Sequence, residues 1–189
     1  MKAINELRPN IKVNLVIVGD EGNAPRVREH AVRYGVEDRV TMTGTIPHDQ
    51  IGSHIASSDC GIVPFTRGET AEMALPLKLF EYLAVGVPVI STRIPAVVER
   101  FRDEVYFYDT EEELVNRIKE ITGNPAQTRE RAAEGKRKVR EQYSWDSVLT
   151  SLDDSIHRLI DPMTALECSD GSESKEACKP TSTGENHDH

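Results

Sequence analysis

The chain has 189 residues and a formal net charge of −9, with 38% hydrophobic and 29% charged residues. This size suits one well-buried core, and the acidic balance argues against a nucleic-acid partner, because duplex affinity depends mainly on Lys and Arg. The sequence has no apolar run of about 18 residues to span a bilayer, and its start, MKAINELRPN, lacks signal-peptide character, so we expect a cytoplasmic protein.

Short apolar segments alternate with helical patterns along the chain. We expect strands at residues 13–18, 39–43, 60–64, 87–91 and 105–108, and helices at residues 25–34, 48–56, 76–85, 111–122, 125–142 and 144–160. The first strand, VNLVIV, is apolar enough to be covered on both faces. This alternation predicts a doubly wound, Rossmann-like α/β domain, in which helices cover both faces of a parallel sheet.

The C-terminal segment differs in composition from the rest. Residues 161–189 contain seven acidic and two basic residues, which gives −5 of the formal −9. They are poor in large apolar side chains, so burial cannot offset the entropy lost on ordering. We therefore predict one domain over residues 1–160 and a disordered acidic tail over residues 161–189.

Cysteine and histidine spacing indicates neither a disulfide framework nor a metal site. Cys60 lies in an apolar strand, and Cys168 and Cys178 lie in the tail. These spacings favour reduced thiols. His187 and His189 flank an aspartate in the tail, where a solvated chain end is the expected state. We predict no bound metal.

The chemistry is expected beyond the carboxyl ends of the strands, where ligands bind in open α/β sheets. There the loop FTRGETAEMA precedes the helix PLKLFEYLAVG. Pro76 fits the first helical position, and Gly86 fits the position just past the helix end. The free amides near Leu77 and Lys78, with the helix dipole, predict an anion site that a diphosphate fits.

Glu81 lies three residues after Lys78 and shares its helical face. A carboxylate at this place can accept two hydrogen bonds from a ribose diol. In the alternative interpretation, Lys78 and Glu81 form an exposed intrahelical ion pair that stabilises the helix little. Periodicity alone favours that alternative.

Several segments together resemble a known family. The run PLKLFEYLAVGVPVIST, preceded by ASSDCGIVPF and by LVIVGDEG and RVTMTGTIPHDQI, resembles the C-terminal domain of family-4 (group 1) retaining glycosyltransferases of the GT-B fold. The likeness runs from about Leu15 to Ile160 and includes YSWDSVLTSL, which is similar to the family's closing helices. The segments follow the family's order and spacing.

The resemblance implies that a nucleotide-diphosphate sugar binds as donor substrate, with no further cofactor. Glu81 matches the family's second motif glutamate, which holds the nucleotide ribose. The backbone around Leu75, Leu77 and Lys78 matches the amides that approach the diphosphate and the donor sugar. Lys78 is also a candidate to stabilise the diphosphate charge, whereas Arg67 fits a solvated loop charge better.

The same resemblance assigns four further residues to the donor site. Gly44, Thr45 and Ile46 match the turn that lies against the base. Gly19 matches the glycine after the first strand of the phosphate-side cleft. No residue of the chain is assigned as the catalytic group.

The chain departs from the family pattern in two places. The first motif glutamate would fall at Met73, with Glu72 one residue away, so the role of that position is open. The family also carries, ahead of the point matched by Met1, a strand and an Arg/Lys pair that binds the diphosphate, as well as an acceptor-binding domain. We therefore expect a partial enzyme that is poorly active or inactive alone, with any peripheral membrane contact made through the missing domain.

The resemblance implies transfer of a sugar to an acceptor hydroxyl with retention of anomeric configuration and without a metal. Alternatives are a non-catalytic nucleotide-sugar-binding fragment and one half of a split enzyme that pairs with a separate N-terminal half. A dinucleotide-dependent oxidoreductase is disfavoured, because Gly19 and Gly22 do not fit G-x-G-x-x-G and RVTMT brings no acid for a ribose diol. A sugar-nucleotide epimerase would share the architecture, but PLKLFEYLA resembles the transferases better.

Overall fold

The computed structural model describes residues 1–19, 21–65 and 75–160. Its contacts divide the chain into two units, Met1–Ser144 and a second unit that begins at Trp145. The predicted tail, residues 161–189, lies outside the described residues. Its disorder and the domain boundary at residue 160 therefore stay predictions.

Helices and strands alternate along the first unit, largely as the sequence predicts. The helices of the described residues are α1 (Lys2–Leu7), α2 (Ala24–Arg33), α3 (His48–Ala56), α4 (Leu77–Val85), α5 (Pro95–Arg100), α6 (Glu111–Gly123), α7 (Pro125–Gln142) and α8 (Trp145–Ile160). The strands are β1 (Leu15–Val18), β2 (Val40–Gly44), β3 (Gly61–Val63), β4 (Val89–Thr92) and β5 (Val105–Tyr108). α1 and α5 are not among the predicted helices.

The strands of the described residues form two parallel sheets. β1 pairs with β2 in one sheet, and the other has the order β3-β4-β5. The α/β class with parallel strands is confirmed. One sheet was predicted. The alternation of strands and helices indicates that the strands run parallel, but it does not indicate which strands pair with each other.

The three-stranded sheet is covered on both faces by two apolar clusters. Val89 and Val105 point into the cluster that α4, α5 and α7 complete. Ile90 and Tyr106, the next residue on each strand, point into the cluster that α1 and α6 complete. This period of two is that of a strand buried on both sides. The doubly wound arrangement is therefore confirmed for this sheet.

β1 differs from the prediction of two covered faces. Leu15 packs with residues of α1 and α2, but Val16 and Val18 are 54% and 43% exposed. Within the described residues only one face of β1 is therefore covered. An apolar run shows that a strand suits burial but does not supply the helix that would cover it.

The two ends of α4 are defined by a proline and a glycine. Pro76 is the N-cap residue, with φ −67° and ψ 127°, and not the first helical residue that we predicted. The residue before the helix must be extended, and proline adopts that ψ readily. Gly86 has φ 92°, and hydrogen bonds from Gly86 to Leu83 and from Val87 to Tyr82 close the helix end. The prediction for Gly86 is confirmed.

α8 is amphipathic and has no buried residue. Its large apolar side chains recur every three or four residues on one stripe, and each is at least 43% exposed. They are Trp145, Val148, Leu149, Leu152, Ile156, Leu159 and Ile160. Among the described helices, none is both long enough and apolar enough to cross a membrane.

Two leucines on α4 differ in burial and so test the orientation of this helix. Leu83 is fully buried, whereas Leu77 is 78% exposed. We expect Leu83→Ala to lower the free energy of unfolding by about 2–5 kcal/mol, because it leaves a cavity in the core. Leu77→Ala is the matched control and should change it by about 0.5 kcal/mol or less. Urea unfolding followed by circular dichroism measures both, and equal losses would contradict this seating of α4.

Candidate functional site

Two of the predicted site glycines meet at the carboxyl ends of β1 and β2. The Gly19 amide donates a hydrogen bond to the Gly44 carbonyl at 2.8 Å. Their φ angles are 82° and 67°, a region that glycine occupies at little cost. The Thr43 hydroxyl donates to the same carbonyl at 3.0 Å. The Gly19–Gly44 hydrogen bond joins the ends of the two strands.

The turn after Gly44 leads directly into α3. Thr45 is exposed, Ile46 is half-buried, and Pro47 is the N-cap residue of α3. α3 packs against α4. α3 follows β2 and α4 follows β3, and each of these strands is parallel to its neighbour in its own sheet.

The first turn of α4 offers free backbone donors. Its N-cap, Pro76, makes no side-chain cap, and the first amides of a helix have no carbonyl partner within it. Leu77 and Lys78 occupy these positions, and both side chains are exposed. Leu75 is half-buried against the core just before the helix. The amides and the helix dipole make this turn suitable for an anion.

Lys78 and Glu81 are both exposed on α4. In the part of the chain that the structure describes, no ion pair within 4.0 Å joins them. The intrahelical pair of the alternative interpretation is therefore not formed. Both charges are available to a ligand one turn apart.

The opposite face of α4 anchors it in the core. Leu79 and Leu83 are fully buried. Phe80 contacts the rings of Phe101 and Tyr143, with centroids at 5.7 Å and 5.2 Å. Such aromatic contacts add to the stabilisation from burial. The exposed residues of α4 therefore lie on a helix whose opposite face is anchored in the core.

Two polar features at the same sheet edge were not predicted. Thr92, the last residue of β4, accepts a hydrogen bond from the Phe65 amide at 3.1 Å, which holds the chain as it leaves β3. Arg93 pairs with Asp109 across the ends of β4 and β5 at 3.0 Å. Polar residues directly after the apolar runs VPVI and VYFY are the signal that marks them in the sequence.

Some predictions fall outside the described residues. Arg67, Glu72 and Met73 lie in the segment 66–74, so the position of the first motif glutamate stays a prediction. Cys168, Cys178, His187 and His189 lie in the tail. Cys60 is a free thiol, and burial, with a smaller contribution from Asp59, raises its pKa to about 11.

No group of three or more His, Cys, Asp or Glu side chains is placed to hold a metal among residues 1–19, 21–65 and 75–160. The expectation of a metal-free site stays a prediction. A surface cavity of about 330 Å³ is lined by Met1, Asn23, Arg26, Val27 and His30. It includes none of the predicted site residues.

Comparisons with known proteins agree on one family. Residues 1–139 match the family described as "Glycosyl transferases group 1". The chain is 30% identical over 148 residues to the GDP-mannose-dependent alpha-(1-6)-phosphatidylinositol monomannoside mannosyltransferase of Mycobacterium tuberculosis. That alignment covers 75% of this chain but only 38% of the relative. The chain thus spans well under half of the relative's length.

Solved structures show the same fold at low sequence identity. The Anabaena HepE protein in complex with UDP superposes with a TM-score of 0.68 at 20% identity, over 82% of this chain and 43% of that one. The C-terminal domain of the group 1 protein LpcC from Francisella tularensis gives a TM-score of 0.61 at 15% identity, over 76% of this chain and 77% of that one. The fold is that of GT-B glycosyltransferases.

Proposed function

The chain belongs to the group 1 glycosyl transferases, and on this basis we propose that it is the donor-binding half of such an enzyme. The observation that carries the proposal is the first turn of α4, where uncapped amides, an exposed lysine and an unpaired glutamate lie together. The names of similar proteins support a nucleotide donor, since one is GDP-mannose-dependent and another was solved with UDP.

The diphosphate would bind at the start of α4. The amides of Leu77 and Lys78 would donate to its oxygens, and the positive end of the helix dipole would favour its charge. The Lys78 ammonium would add a cation on the same turn. Fixed donors and cations stabilise the negative charge that grows on a leaving phosphate.

The nucleoside would bind between α4 and the turn formed by Gly44, Thr45 and Ile46. In this proposal Glu81 accepts two hydrogen bonds from the ribose hydroxyls, one turn from the diphosphate. The backbone of Gly44, Thr45 and Ile46 lies against the base, and Gly19 keeps the phosphate side open because it has no side chain. The Gly19–Gly44 hydrogen bond supports this arrangement because it joins the ends of β1 and β2.

The proposed reaction transfers the sugar to an acceptor hydroxyl. The bond from the anomeric carbon to the diphosphate oxygen breaks, and a bond from the same carbon to the acceptor oxygen forms. The acceptor hydroxyl gives its proton to the departing diphosphate or to water, and the nucleoside diphosphate leaves with the electron pair of the broken bond. From the family resemblance we propose retention of anomeric configuration and no metal.

We further propose that the acceptor is bound by another half of the enzyme. Two features support this: the alignment covers only 38% of the mannosyltransferase relative, and among the described residues of the first unit Val16 and Val18 expose an apolar face of β1. Exposed apolar surface can mark an interaction site. The chain would then be catalytically incomplete alone, and a binding-only module is the alternative.

The role of Glu81 is tested by Glu81→Gln. This change keeps the shape but weakens charge-assisted hydrogen bonds of about 1.5–3 kcal/mol. UDP or GDP should bind about tenfold more weakly or worse, since about 1.4 kcal/mol is a factor of ten. The unfolding free energy should change by about 0.5 kcal/mol or less, because Glu81 is exposed. Titration calorimetry and ligand-observed NMR measure the affinity.

Glu130→Gln on α7 is the matched control, since it removes the same charge from another exposed helical position. It should leave nucleotide affinity unchanged. Equal affinities of wild type and Glu81→Gln, with binding clearly detected, would reject the ribose role.

The half-enzyme proposal predicts binding without turnover. The chain alone should bind UDP or GDP, yet it should transfer no sugar from a UDP- or GDP-sugar to simple sugar acceptors above the uncatalysed background. The reason is that, in this proposal, the acceptor is bound by the other half of the enzyme. Mass spectrometry of the reaction mixture measures the product. Efficient transfer by the chain alone would contradict the proposal.

A further inference from the structure

α4 touches neighbouring backbone at two glycines that the sequence analysis did not single out. Gly61 is the first residue of β3, and a Cβ placed on it would lie 2.3 Å from Cδ2 of Tyr82. Gly135 lies within α7, and a Cβ there would lie 2.7 Å from Cδ2 of Leu83. Contacts this short do not occur in folded proteins. At both positions a side chain on the neighbouring element would displace the Tyr82 ring or the Leu83 side chain, or α4 itself, from its present place.

The contact at each glycine explains why a residue without a side chain stands there. Glycine inside a helix lowers stability by about 0.5–1 kcal/mol relative to alanine, yet Gly135 sits mid-helix in α7. At Gly61 the Tyr82 ring covers the strand backbone, and burial, more than the charge of Glu81, raises the Tyr82 pKa. The absence of a side chain at both places lets β3 and α7 approach α4 closely.

These contacts fix α4 about its own axis. Tyr82 and Leu83 are consecutive and point about 100° apart on a helix of 3.6 residues per turn. One is held by β3 and the other by α7. A third contact holds the helix end, where the Lys136 ammonium donates to the Val85 carbonyl at 3.3 Å. Glu81 precedes this pinned pair by one residue and Lys78 by four.

We propose that Gly61 and Gly135 are positioning residues of the donor site. They set the rotation of α4 about its axis and its position against β3 and α7. In this way they direct Glu81, Lys78 and the first-turn amides toward the nucleotide. This inference rests on the proposed function. With alanine at Gly61, the new Cβ and the Tyr82 ring must separate by about 1 Å to reach the 3.4 Å of ordinary contact. A shift of that size breaks aligned hydrogen bonds.

The test compares four single alanine variants at a temperature where all are folded. Gly61→Ala and Gly135→Ala should bind UDP and GDP at least about fivefold more weakly than wild type. Gly123→Ala is the matched glycine control, because a Cβ there meets nothing within 4 Å. Val115→Ala controls for stability, because it opens the core on the other face of the sheet. Both controls should keep wild-type affinity.

Two further readouts separate positioning from general destabilisation. Amide NMR shifts of Lys78 and Glu81 should change in ligand-free Gly61→Ala and Gly135→Ala but not in Val115→Ala. Adding Tyr82→Ala to Gly61→Ala removes the ring that the new Cβ meets. With Tyr82→Ala measured as a fifth single variant, the loss in the double variant should be smaller than the sum of the losses in Gly61→Ala and Tyr82→Ala. This double variant also serves if Gly61→Ala does not fold.

The outcomes distinguish this inference from the proposed function. Wild type that binds neither UDP nor GDP would overturn the proposed function and the inference with it. Wild-type binding that Gly61→Ala and Gly135→Ala retain in full would overturn the inference alone. A loss of affinity in Val115→Ala as large as in the glycine variants would also overturn it, since stability and not position would then set the affinity.

Discussion

β3 and β4 run parallel, with Gly61 beside Val89 and Val63 beside Ser91. The chain between parallel neighbours must return to the other end of the sheet, and α4 makes that return. Its first turn therefore has to lie at the carboxyl edge, where the dipole and free amides of a helix face solvent. The anion site that we propose is a consequence of this crossover together with the proline that begins the helix without a side-chain cap.

Packing turns this general geometry into a specific one. Leu79 and Leu83 of α4 are fully buried, and Gly61 and Gly135 allow β3 and α7 to approach Tyr82 and Leu83 closely. Interiors are packed at crystal-like density, so such contacts resist small rotations. Glycine lowers the stability of α7, but the contact between Gly135 and Leu83 helps to hold α4 and its exposed charges in place. Stability and site geometry thus depend on the same contacts.

Much of the fold is readable from sequence, and the misses have physical causes. The bounds of α3, α7 and β5 agree with the apolar patterns. α1 was missed because MKAINELRPN looks polar, although its few apolar residues are buried. The split into two sheets and the exposed face of β1 depend on which elements become neighbours, which a local pattern does not contain. In the site, Gly19 and Gly44 are joined by a hydrogen bond that was not predicted, and the roles of Gly19, Gly44, Glu81 and Lys78 stay predictions. Gly61 and Gly135 act through tertiary contacts that spacing cannot show.

The central claim is that a nucleoside diphosphate binds at the first turn of α4. Titration of UDP and GDP into labelled protein, followed by amide NMR, tests it most directly because each backbone N–H reports separately. The account predicts that the largest shifts fall on Leu77, Lys78 and Glu81, with further shifts at Gly44 and Thr45. Saturable binding whose shifts centre elsewhere, for instance on Arg26 and His30 in the cavity at α2, with α4 unaffected, would contradict it.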